Sequence, residues 1–69
     1  MKVEFEKETD GRWIAEIPEL PGVMAYGKTK QEAQRKVYAV ALRTLADTVE
    51  RGTTPAPVSR IFKYGMASR

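Results

Sequence analysis

Trp13-Ile-Ala-Glu-Ile-Pro-Glu-Leu-Pro-Gly22, followed by Thr29-Lys-Gln-Glu32, decides the reading of this 69-residue chain. Residues 13–17 put Trp13, Ala15 and Ile17 in one phase and Ile14 and Glu16 in the other, the two-residue period of a half-buried strand. Pro18 and Pro21 cannot donate to a sheet ladder, so residues 18–22 form a loop, with Leu20 as its apolar anchor. Thr29 and Glu32 have the spacing of a capping box, in which Glu32 reaches back to the Thr29 amide and a helix starts at Lys30. Between loop and cap, residues 23–26 read as a short third strand ending at Gly27.

Residues 2–8 alternate as well, with Val3, Phe5 and Lys7 on one side and Glu4, Glu6 and Glu8 on the other. Two hairpin registers are open to the Asp10-Gly11 turn. A two-residue loop pairs Glu8 with Trp13 and Glu6 with Ala15, which lays carboxylates against the apolar row. A three-residue loop, Thr9-Asp10-Gly11 with Gly11 left-handed in a bulge, pairs Lys7 with Trp13, Phe5 with Ala15 and Val3 with Ile17. Only the second register makes one face apolar, and it is the one predicted. On the opposite face it sets Glu8 against Arg12, Glu6 beside Ile14, and Glu4 against Glu16, a like-charge pair that mildly opposes pairing.

The helix can run from residue 30 through 51, with Gly52 as its left-handed stop. Its apolar residues span an arc of roughly 200°, about twice what packing on one surface needs. Val37, Ala41 and Leu45 are assigned to the sheet. Tyr38, Leu42 and Val49 form a shoulder that either meets a second chain or packs under the Pro55 to Pro57 loop. Beyond that loop, residues 58–63 read as a fourth strand, with Ile61 and Phe62 in different phases, and 64–69 as a tail. The expected fold class is α+β: three antiparallel strands, a helix crossing one face, and a fourth strand parallel to the first. Residues 1–63 form the domain.

A chain this short buries only about 60% of the surface its unfolded form exposes. It has no cysteine to crosslink and no histidine to join a metal cluster, so self-association is the remaining stabiliser and a homo-oligomer is expected. No apolar run reaches the length of a membrane span and no signal peptide opens the chain, which suggests a cytoplasmic location. Residues 1–22 carry three cations against six carboxylates, net −3, whereas residues 23–69 carry nine against three, net +6. That split suits a protein partner with its own charge pattern, or head-to-tail self-contacts, at least as well as nucleic acid, for which unclustered cations are a weak signal.

In their order and spacing, residues 10–23, the segment Tyr26-Gly-Lys-Thr-Lys-Gln-Glu-Ala33, the Val- and Ala-rich helix and the Pro55/Pro57 segment resemble the HicB-like antitoxin family. The resemblance covers about residues 3–62. It implies a partial RNase H-like β-β-β-α-β fold with strand order 3-2-1-4. It also implies a partner, a small RNA-cleaving HicA-type toxin that the antitoxin blocks. Full-length members add a C-terminal DNA-binding domain, and the six residues after Lys63 do not accommodate one, so a short stand-alone member is expected.

Catalysis is not expected. Two-metal nuclease chemistry needs several carboxylates converging on ions about 3.5–4 Å apart; Glu4, Glu6 and Glu16 instead read as an outward, solvated strand face. No nucleophile motif or phosphate-cradling glycine loop is present, and no metal or cofactor is expected. Trp13 shares the phase of Ala15 and Ile17 and is assigned to the helix-covered face rather than to ligand stacking. Glu4, Glu6, Ile14 and Glu16 are the candidate partner contacts, and Tyr38, Leu42 and Val49 the candidate oligomer contacts. The alternatives are a stand-alone oligomeric scaffold and a nucleic-acid binder acting through Arg35, Lys36 and Arg43.

Overall fold

The computed structural model describes residues 1–63, 65 and 67. Its elements run β1 (Glu4–Lys7), β2 (Trp13–Glu16), β3 (Met24–Gly27), α1 (Lys30–Glu50) and α2 (Ala56–Ile61). The strands form one antiparallel sheet in the order β1-β2-β3. In the hairpin, Phe5 lies opposite Ala15, Lys7 opposite Trp13 and Glu4 opposite Glu16, the register that burial on one face requires. Gly11, at φ +91°, supplies the left-handed residue of the three-residue loop, which is closed by bonds from the Glu8 amide to the Arg12 carbonyl (2.7 Å) and from the Gly11 amide to the Glu8 carbonyl (3.0 Å).

Residues 18–22 leave the ladder as expected. The Leu20 amide donates to the Ile17 carbonyl (2.9 Å) and the Val23 amide to the Leu20 carbonyl (3.0 Å), so two consecutive turns carry the chain past both prolines. Leu20 packs against the core from this loop.

α1 begins where its cap dictates. The Thr29 hydroxyl accepts from the Glu32 amide at 3.0 Å, while the Glu32 carboxylate accepts from the amide of Lys28, one residue before the expected partner, at 3.0 Å. At the other end the Gly52 amide donates to the Val49 carbonyl and the Thr53 amide to the Thr48 carbonyl, a Schellman stop. Ala33, Val37, Ala41 and Leu45 are the buried residues of the helix. The first three pack with Ala15, Ile17 and Val23 in the core, which Val3, Phe5 and Trp13 flank. The helix lies across β3 and β2.

At Gly27 the backbone of β3 passes close beneath the first turn of α1. A β-carbon there would run into the backbone nitrogen of Ala33 and sit 3.0 Å from both the Ala33 Cα and the Glu32 carbonyl carbon. Because those atoms are backbone, a neighbouring rotamer change cannot relieve the clash.

The expected fourth strand is not there. Of residues 58–63, the first four belong to α2 and Phe62 is its extended C-cap; the Pro55 and Pro57 segment starts the helix, with Pro55 as its N-cap residue and Pro57 in its first turn, where a missing amide hydrogen costs nothing. Val58, Ile61 and Phe62 are spaced as one helical face, so the neighbours Ile61 and Phe62, which a strand would send to opposite faces, share a side here. Among the described residues the sheet therefore has three strands, the 3-2-1-4 order is not formed, and the edge of β1 is unpaired. The expected tail at 64–69 lies mostly outside the described residues. No helix among those described is long and apolar enough to cross a membrane.

Replacing Gly27 with Ala is expected to push β3 and α1 apart and lower the unfolding free energy by roughly 1–3 kcal/mol, the usual cost of overpacking. Urea denaturation followed by circular dichroism measures it; an unchanged midpoint would show that the contact is not tight.

Candidate functional site

The face of the sheet turned away from α1 is the first candidate. The registers place Glu4, Glu16 and Met24 in one row across the strands and Glu6, Ile14 and Tyr26 in the next. All four predicted partner-contact residues, Glu4, Glu6, Ile14 and Glu16, therefore come together, and with Glu8 they line one shallow depression. Glu4 and Glu16 are directly opposed like charges, an arrangement a solvated face tolerates and a buried one does not.

Across this face the chemistry changes from one edge to the other. β1 contributes carboxylates, β2 contributes the half-buried Ile14, and β3 contributes the exposed Met24 and Tyr26. At the hairpin end the Arg12 guanidinium donates to Asp10 at 2.8 Å and lies 4.6 Å from the centre of the Tyr26 ring. The ion pair holds the cation over the aromatic face, an attractive arrangement even when exposed. Carrying the register one strand further, from Ile14 to its neighbour on β3, is the signal that would have added Tyr26 and Met24 to the candidates.

Two carboxylates next to this end titrate low. The Arg12 amide, hydrogen-bonded to Asp10, holds the Asp10 carboxyl below its usual range, with the Arg12 side chain adding to the effect. The Lys28 amide does the same for Glu32, helped by Lys36, whose ammonium lies 3.4 Å from the carboxylate. Both groups favour their charged form in the folded state. Among the described residues, no group of three His, Cys, Asp or Glu side chains is placed to hold a metal ion.

The second candidate lies on the helices. Tyr38, Leu42 and Val49, the predicted oligomer contacts, are all exposed on α1, Leu42 to 63%. Leu42 and Val49 line an apolar groove whose far wall is Val58, Ile61 and Phe62 of α2. The segment after α1 thus flanks the shoulder without covering it: Ile61 and Phe62 are themselves 66% and 71% exposed. Of the basic helix residues considered for nucleic acid, Lys36 is engaged by Glu32, Arg35 lines a surface hollow with Tyr38, and Arg43 is exposed.

The UPF0150-like family model matches residues 1–53. This chain belongs to the UPF0150-like family. The UPF0150-like region takes in the whole sheet, α1 and its glycine stop, and so includes every residue of the outer sheet face; α2 lies beyond it. No curated protein and no solved structure matches the chain.

Stability is expected to fall as pH drops through the carboxylate range. Because the folded-state pKa values of Asp10 and Glu32 lie below the ordinary 3.8 and 4.5, their contribution is complete above those values and disappears as pH falls through the lowered ones. Thermal melts across this range should show a shallower decline for Glu32→Gln than for the wild type; parallel curves would remove Glu32 from the account.

Proposed function

We propose that this UPF0150-like chain is a non-catalytic antitoxin-type module that binds a small cationic RNA-cleaving toxin of the HicA type through the outer face of its sheet. The observation that carries the reading is the opposed Glu4 and Glu16 pair, flanked by Glu6 and arranged around Ile14. Like charges held across a ladder weaken the isolated fold, and a cationic partner would turn that cost into attraction. Ile14 and Tyr26 offer apolar anchors beside the charged β1 strand, as a protein contact uses. Family membership supports the reading, since UPF0150-like proteins are associated with HicB-type antitoxins.

Neutralisation in this reading is steric. A toxin seated on the acidic strand loses access to RNA, and electrostatic attraction speeds the encounter. Nothing in the mechanism requires a metal, a cofactor or a titrating nucleophile. The setting is the cytoplasm, where such a toxin meets its RNA.

Co-expression with a HicA-type toxin is the test. The wild type is expected to restore growth, and Glu4→Lys/Glu6→Lys is expected to fail, binding the toxin at least about a hundredfold more weakly. The same variant should fold slightly more stably, by roughly 0.2–1 kcal/mol, because it relieves the like-charge pair. Equal protection by both proteins, or protection by neither, would contradict the proposal.

A further inference from the structure

We infer that the exposed stripe of α1 is the interface of a two-fold dimer in which the α1 helices of two copies run antiparallel, each lying in the groove between α1 and α2 of the other. This surface shares no residue with the proposed toxin face, so the inference stands apart from that function.

The spacing comes first. Arg35, Tyr38, Leu42, Leu45 and Val49 follow one another at intervals of three, four, three and four residues, the seam of a helix that pairs with another helix. Leu45 is buried and lines the groove, while Tyr38, Leu42 and Val49 remain exposed. The neighbours of this seam are the small residues Ala39 and Ala46, which allow a second helix to approach closely.

Charge selects the direction. Arg35 and Val49 lie seven residues on either side of Leu42, and Glu50 follows Val49. A parallel pair would set Arg35 against Arg35 and Glu50 against Glu50. An antiparallel pair centred on Leu42 sets Arg35 of each copy beside Val49 and Glu50 of the other, at the helix end where a cation is favoured. The last turn of α1 carries no basic residue of its own. Two equivalent ion pairs result, as a two-fold axis demands.

Size complementarity agrees with charge. The same pairing brings the Tyr38 ring of one copy onto Ala46 of the other, at the floor of the groove walled by Ile61 and Phe62. Leu42 meets its own counterpart at the axis. α2, which buries no residue within a single chain, becomes a clamp over the incoming helix. Because the midpoint of the 21-residue α1 is Val40, two residues from Leu42, the two helices overlap over residues 34–50 of each.

Sedimentation equilibrium on the full chain tests this. The wild type should be a dimer, and Leu42→Glu should be monomeric with an unchanged circular dichroism spectrum. Arg35→Glu and Glu50→Arg should each raise the dissociation constant roughly tenfold, and the double swap should restore it. The swap distinguishes the directions without relying on the Leu42 variant, since a parallel pair places like charges together in every one of these proteins. A monomeric wild type, a dimer indifferent to Leu42→Glu, or a double swap no tighter than the singles would overturn the inference.

Discussion

The backbone of β3 meets the first turn of α1 at Gly27 with no room for a β-carbon, and the rest of the molecule is arranged around that contact. It sets the height of the helix above the sheet, and therefore which side chains can fill the space. Only small and β-branched residues fit: Ala15, Val23, Ala33 and Val37 are the inner layer, with larger groups displaced to the flanks. The cap acts in concert with it. Thr29 and Glu32 fix the first turn just where Gly27 must pass beneath it, so the direction of α1 follows from two hydrogen bonds and one missing methyl group.

One helix on a three-stranded sheet leaves much of the surface unpartnered, and the two exposed regions differ in kind. The outer sheet face is acidic at β1 and aromatic at β3, with an opposed pair of glutamates that isolated stability would not select. The outer stripe of α1 is apolar, with one charge near each end, and α2 forms a raised wall beside it. A charged, weakly repelling face suits a partner that arrives and leaves; an apolar groove suits one that stays. The proposed division of labour follows: self-association through the helices, toxin recognition through the sheet.

Much of this was legible in the residues. The hairpin register followed from requiring Val3, Phe5, Ala15 and Ile17 to share a face, because a slip by one residue would have exposed them all. The helix boundaries followed from Thr29 and Gly52, and its inner face from the four-residue spacing of Val37, Ala41 and Leu45. The segment after Pro57 was not legible as a strand. Val58, Ile61 and Phe62 favour strands by type, yet their spacing of three and four is helical, and prolines before and within the first turn prepare that helix. With the strand gone, the β1 edge lost its expected neighbour and the shoulder of α1 gained α2 as a wall. Tyr26 was missed because its contact with Arg12 depends on a register across two strand pairs, which no single segment displays.

The account depends on the two exposed regions having different fates in the free protein. Hydroxyl-radical footprinting of the full chain without any toxin measures this side chain by side chain. Tyr38, Leu42, Ile61 and Phe62 should be protected relative to their exposure in a single chain, while Met24 and Tyr26 react freely. Protection of Met24 and Tyr26 with full reactivity at Leu42 and Phe62 would contradict the account, since the sheet would then be the surface at which copies meet.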